Sequence, residues 1–286
     1  MQYSRVKLAK PRKGVRAVSP AISTVMLTGA IVIMLLVVVT FANSYLNAQI
    51  AQNEFGAMEQ FMQTIGLQTD YVAWINGQTQ TTRFASRFGF LSFYPVYLNY
   101  SVYLDGSPSF NFSYLTRVLL FNMPISSYNI ANGHYEQIIP TSSSSFLQTG
   151  TSAVVARVFV IEKLPMTDGS YVRIVVAPCI RAMNSTVPTG ESTPPAHYTK
   201  LYLPLLVAGS QQGNFQSVTL AGTDVIRDSQ GNVSSVVVRV SFPNQTLGFG
   251  SDFFRFSSLN ETVSVFLRST IEFYTGEVTV SLGLYG

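Results

Sequence analysis

The sequence predicts an α+β fold: one long hydrophobic helix on the N-terminal side, followed by an antiparallel β-sandwich. Three observations carry this expectation. From Ala17 to Asn53 there is no charged side chain, and Pro20 to Ala42, PAISTVMLTGAIVIMLLVVVTFA, is strongly apolar. Apolar residues then recur near every fourth position as far as Ile65, the spacing of an amphipathic helix. Beyond Asn76 the chain turns to short runs rich in aromatic and β-branched residues, separated by turn pairs such as Asp-Gly, the signature of hairpin-linked strands.

The chain opens with Arg5, Lys7, Lys10, Arg12, Lys13 and Arg16. They account for the net charge of +4: without these six, 12 basic residues face 14 acidic ones, a balance of −2. A body of that sign has no basic stripe to displace counterions from phosphates, so nucleic acid is excluded as a partner. Ser19 suits an N-cap and Pro20 the first helical position, where its missing N–H forfeits no bond. Pro20 to Ala42 is 23 residues, about 35 Å of helix, enough to cross the hydrocarbon core of a bilayer. The basic cluster ahead of it predicts a cytoplasmic N-terminus and a body outside. Two ordinary alternatives are an uncut anchor and a secreted product cut after the small-x-small triplet Thr40-Phe41-Ala42, although the apolar run exceeds a usual signal core. Leu46, Ile50, Ala57, Phe61 and Ile65, broadened by Phe55, Met58 and Met62, continue the helix to about Gly66, with Gln49, Gln52, Glu54, Glu59, Gln60 and Gln63 tending to the other side.

KGVRAVSPAISTVMLTGAIVIM, residues 13–34, resembles the class III signal sequence of archaeal type IV pilins, and the resemblance is confined to the N-terminal helix. It implies that a prepilin peptidase removes the basic leader and that the apolar helix is retained. Two cuts fit, one after Arg16-Ala17 and before Val18, the other after Lys13-Gly14 and before Val15. The first is preferred because the chain then starts Val-Ser-Pro, as many archaeal pilins do, and sheds all six basic residues. The acidic residue that bacterial pilins carry near the start of the mature helix is absent, as it commonly is in archaeal relatives. The resemblance implies a leader over 1–17, a transmembrane and assembly helix over 18–66, and an extracellular β-sandwich, Ig-like or pilin-type, over 67–286. It further implies a structural subunit, first in the membrane through residues 20–42 and then in a surface filament. The partners would be copies of itself, other pilins, the prepilin peptidase and the assembly machinery. Lys and Arg cross hydrocarbon only at high cost, so losing the leader frees the helix for extraction. The contrasting expectation is a monomeric membrane-anchored binding domain for sugar or solute.

In the body, strands are expected in RFGFLSFYPVYLNYSVYL, YLTRVLLFN, SAVVARVFVIEKL, SYVRIVVAPCIRAM, YTKLYLPLLVAG, FQSVTLAGTDVIRD, VSSVVVRVSF, TVSVFLRSTIEFY and EVTVSLGLY. Turns are expected at Asp105-Gly106, Asp168-Gly169, Gln230-Gly231-Asn232 and Thr275-Gly276. In the last strand Val278, Val280, Leu282 and Leu284 share one side. Residues 140–151 and 184–197 read as surface loops, and one β domain is preferred over two. The aromatic residues from Phe90 to Tyr103 read as core rather than as a binding face.

Six N-x-S/T triplets, at Asn99, Asn111, Asn184, Asn232, Asn244 and Asn260, are candidate N-glycosylation sites on an external body. Asn184 and Asn232, in loop or turn contexts, stand out; Asn99 and Asn111 lie near strands. Signals for catalysis are thin, and no enzyme activity or cofactor is expected. His134 and His197 have no metal-ligand spacing, Gly248 and Gly250 do not link a strand to a helix as a phosphate loop requires, and the lone Cys179 sits in a buried-strand pattern as a structural thiol. Asp105, Asp168, Asp224 and Asp228 accompany turns, and a Ca²⁺ site would require several of them to converge.

Overall fold

A charge-free apolar run followed by an amphipathic one folds as a single helix, α1, over Pro20–Ala73. This computed structural model describes residues 20–93, 96–107, 109, 111–189, 195–211 and 216–283. Two compact units divide within α1, the first ending at Asn47 and the second spanning Ala48–Gly286. The second half of the helix therefore belongs to the β-rich body, which begins before the expected boundary at residue 67. The helix also passes its expected end at Gly66 by seven residues. Gly66 is no cap: it is buried, and a Cβ there would lie 2.7 Å from the Val158 side chain. The buried stripe is Ala51, Phe55, Met58, Met62, Ile65, Thr69 and Val72, in the three- and four-residue steps that keep one helical face inward. Leu46, Ile50 and Ala57 of the expected stripe are exposed instead.

The strands follow in order. They are β1 (Thr79–Arg83), β2 (Phe90–Ser92), β3 (Tyr97–Leu104), β4 (Phe112–Arg117) and β5 (Leu119–Pro124). Next come β6 (Tyr135–Ile139), β7 (Leu147–Thr149), β8 (Ala156–Glu162), β9 (Tyr171–Pro178) and β10 (Ile180–Val187). The last are β11 (Ala196–Gln211), β12 (Ser217–Val233), β13 (Val236–Ser241), β14 (Asn260–Val263) and β15 (Ser269–Leu282), with a one-turn helix, α2 (Ser251–Phe254), before β14. Among the described residues they form a six-stranded sheet, β1-β12-β15-β11-β10-β7, a five-stranded sheet, β2-β5-β9-β8-β6, and a four-stranded sheet, β14-β13-β3-β4. Pairing is mostly antiparallel, but β7 with β10 and β11 with β15 are parallel, so the expectation of a wholly antiparallel body is corrected.

Alternation along the central strands explains their nearly continuous apolar sequence. Val172, Ile174 and Val176 of β9 pack with the buried stripe of α1, while Val175 and Ala177 pack with residues of the four-stranded sheet. In β8, Val158 and Val160 face the helix and Phe159 and Ile161 the other way. The five-stranded sheet is thus covered on both faces at these strands, by α1 on one side and the four-stranded sheet on the other. Burying each such Val, Ile or Phe contributes about 1.5–3 kcal/mol.

Several turn and loop expectations meet the structure differently. Asp105 and Gly106 take φ of 49° and 68°, and Ser107 N–H donates to the Leu104 carbonyl at 3.0 Å, closing the turn between β3 and β4. Asp168-Gly169 likewise joins β8 to β9, with Gly169 at φ 128°. Thr275-Gly276 is not a turn but the middle of β15, where Gly276 lies under the end of α1: a Cβ there would sit 2.1 Å from the Ala73 carbonyl oxygen. Gly222 of β12 makes the matching approach, 2.4 Å from the Val72 oxygen. Glycine here permits contact between backbones. Gln230-Gly231-Asn232 is a register irregularity within β12, with Asn232 at φ 60°. The stretch 140–151 contains β7 and the fully buried Phe146, so part of it is core rather than surface. Val278, Val280 and Leu282 do share one buried side; Leu284 lies outside the described residues.

Candidate functional site

The feature that stands apart chemically is the first half of α1. Side chains such as Val25, Ile33, Leu35, Val38 and Phe41 are exposed, and the helix is long and apolar enough to cross a membrane by length and composition. Two of its hydroxyls are satisfied internally: Thr28 Oγ1 donates to the Thr24 carbonyl and Thr40 Oγ1 to the Leu36 carbonyl, each at 2.8 Å. Such back-bonding leaves those groups tolerable in hydrocarbon. Gly29 has no other group within 4 Å of where a Cβ would stand, leaving room for close approach by another helix. The leader residues Lys13, Gly14, Val15, Arg16, Ala17 and Val18, and the Ser19 cap, lie outside the described residues.

The second half of α1 is fastened to the body by polar contacts as well as apolar ones. The Glu54 carboxylate accepts from Ser86 Oγ at 2.5 Å and from the backbone N–H groups of Arg87, Phe88 and Gly89 at 2.8, 3.0 and 3.1 Å. Burial pushes its pKa up, but the Ser86 and backbone hydrogen bonds outweigh that and hold it below the ordinary glutamate value. Asp70 pairs with Arg181 of β10 at 2.8 Å and accepts from Trp74 Nε1 at 2.7 Å.

Two buried arginines escaped the sequence reading. Arg173 donates to both oxygens of Asp168, at 2.8 and 2.6 Å, and to Asn122 Oδ1 at 2.9 Å, which pins the β8–β9 connection. Arg157 is fully buried, donates to the Tyr135 hydroxyl at 2.7 Å and the Phe254 carbonyl at 3.2 Å, and lies over the Phe256 ring. A lone Arg inside an apolar strand is the signal that could have marked both, since such a charge persists only with partners.

The remaining chemical candidates are occupied structurally. Cys179 is buried, and burial pushes its pKa up to about 12, far from a reactive thiolate. His134 stands 3.7 Å from Glu136, and His197 stacks on Phe266. Asp105 accepts from Ser234 and Ser235 N–H, Asp168 holds Arg173, Asp224 accepts from Val225 N–H, and Asp228 accepts from the Tyr114 hydroxyl. The four do not converge, and among the described residues no three His, Cys, Asp or Glu side chains are grouped to hold a metal ion. Gly248 and Gly250 do precede a helix, but α2 is four residues long and its Phe253 and Phe254 are core. Of the aromatic stretch, Phe93 and Tyr100 are buried while Phe90 is exposed.

Of the six asparagines in triplets, Asn111, Asn184, Asn232 and Asn260 are exposed and Asn99 and Asn244 half-buried. Asn184 is not in a loop: it lies in β10, paired with Thr199 of β11. Asn111 precedes β4 and is accessible despite its neighbourhood. Compared with known protein families, curated proteins and solved structures, the chain gives no match.

Proposed function

We propose that this protein is a structural subunit of an archaeal type IV pilus-like surface filament. Residues 20–42 hold it in the cell membrane before assembly, and α1 then polymerises with α1 of other copies and of related pilins. The body, a pilin-type sandwich, is displayed outside for adhesion. The observation that carries this reading is that one helix is divided between two environments: exposed and apolar over Ile22–Leu46, and built into the β-rich core from Ala51 onward. An anchor needs the first alone. A subunit that is lifted from a membrane and packed beside its copies needs its helix committed to the body it carries. Once drawn out of lipid, each of these side chains left in water instead of against a neighbour would cost up to about 1.5–3 kcal/mol, so an extracted helix must pack on other copies.

The test is N-terminal sequencing and intact mass of the protein taken from its own cells and from sheared surface filaments. A chain starting at Val18 or Val15 and present in filaments is the expected result. A start at Met1 overturns it in favour of a monomeric anchored binding domain for sugar or solute; a start at Asn43 overturns it in favour of a secreted domain. Val32→Asp provides an independent check. A carboxylate in the apolar segment costs about 2.5–3.5 kcal/mol in a membrane, so incorporation into filaments should fall at least tenfold while the melting temperature of the body stays unchanged.

A further inference from the structure

Two groups of exposed apolar side chains stand out on the β-rich body. The first lies where α1 ends on the six-stranded sheet. Leu67 and Tyr71, about one helical turn apart, are exposed, and so is Ile75 just after the helix. Val225 of β12 is exposed as well and pairs with Gly276, the glycine on which the Ala73 carbonyl rests. Directly opposed residues share one face of a sheet, so Val225 stands beside the helix end. Next to it Asp224 is exposed, accepts from the Val225 N–H at 2.8 Å, and pairs with no cation among the described residues.

The second group is the turn that joins β14 to β15. Ser269 N–H donates to the Phe266 carbonyl at 3.2 Å, which makes Leu267 and Arg268 the central residues of the turn. Val265 packs against the core, and the His197 ring stacks on Phe266 with centroids 4.4 Å apart, so the turn is held from beneath. Leu267, at 75%, is more exposed than any other large apolar side chain described. Arg268 is exposed and takes a φ of 58°, a conformation that strains any residue with a Cβ. Among the described residues it has no hydrogen-bond or ion-pair partner. The turn thus offers apolar side chains beside an unpaired cation, and the helix end offers an apolar patch beside an unpaired carboxylate.

Ser269 and Gly276 lie seven residues apart on β15, about 23 Å along a strand, so the turn cannot cover the patch of its own chain. We infer, resting on the filament reading above, that it covers the patch of a second copy. Phe266 and Leu267 of one body pack on Leu67, Tyr71, Ile75 and Val225 of the next, and Arg268 pairs with Asp224. A contact between two different surfaces of identical subunits leaves one of each kind open at every step, so it propagates instead of closing a pair. It adds a joint between bodies to the packing of α1 on α1, and the opposite charges select which part of the neighbour the turn meets.

Charge exchange in the full chain, read as the amount of protein in filaments sheared from its own cells, tests this. Arg268→Asp and Asp224→Arg should each lower incorporation about fivefold while the melting temperature of the body stays unchanged, and the two together should restore it. Unchanged incorporation in either single variant, or no recovery in the double one, overturns the docking. Crosslinking gives a second readout that does not depend on charge. Filaments carrying both Leu267→Cys and Tyr71→Cys, treated with a short bis-maleimide, should run as a ladder of covalent multimers; Cys179 is buried and takes no part. A monomer band alone overturns the docking, and so do covalent dimers from Leu267→Cys by itself, which would set the turn against its own copy. The parent chain separates the two ideas: its absence from filaments removes the filament reading and the docking together, whereas its presence with no ladder and no charge effect removes the docking alone.

Discussion

Glu54 closes the joint between helix and body with a single carboxylate, and its chemistry gives that joint a pH dependence. Its folded pKa lies below that of the unfolded chain, so the folded state binds fewer protons in that window and stability rises with pH there. The contribution is fully present above the ordinary glutamate range and is lost as pH falls through the lowered value. Glu54→Gln should lower stability at pH 7 by roughly 1 kcal/mol after solvent screening, about 2–4 °C in Tm. Thermal melts from pH 7 down to pH 2.5 should show the variant and the parent converging in acid; a constant gap would refute the role. Asp168 makes a second residue-scale case. Its partner Arg173 is buried with a side-chain exposure of 2%, while Asp168 itself is 38% exposed. Asp168→Asn strands the guanidinium and should cost about 2–3 kcal/mol in urea unfolding, more than replacing an exposed carboxylate elsewhere.

Elements were legible to very different degrees, and the reasons are physical. The helix was readable because a long charge-free run followed by a three-to-four spacing has few other solutions, and β8 and β9 because their β-branched runs are unbroken. Its phase was not: Ala57 looked inward by spacing, whereas the sheet selects Ala51, Phe55 and Met58. Thr275-Gly276 read as a turn because glycine looks the same in sequence whether it supplies a bend or admits a neighbour. Only the arrival of the Ala73 carbonyl, from far along the chain, distinguishes the two. Gly276→Ala is accordingly expected to cost about 3 kcal/mol or more, roughly 6–12 °C in Tm. Gly231→Ala, whose nearest neighbour would be Thr270 Oγ1 at 3.9 Å, should be nearly neutral. Equal effects would mean that the helix end does not press on β15. The place of Asn184 was hidden for a related reason: NSTVP looks like loop although β10 continues to Val187 through its pairing with β11.

At the scale of the molecule, every buried apolar residue among those described lies at Ala51 or later. A chain beginning at Ala48 should therefore unfold cooperatively within about 2 °C of the full-length protein. It should remain in the supernatant in liposome flotation, where the full chain floats. Failure of the shortened chain to fold would show that the first unit stabilises the body. The doubly covered five-stranded sheet has a further consequence. β8 and β9 present no outward face, so their side chains answer only to the layers that cover them, whereas β13 carries core Val236, Val238 and Val240 in alternation with outward positions. Lineages can thus vary outward positions such as Arg239 of β13, while β8 and β9 drift slowly along their whole length.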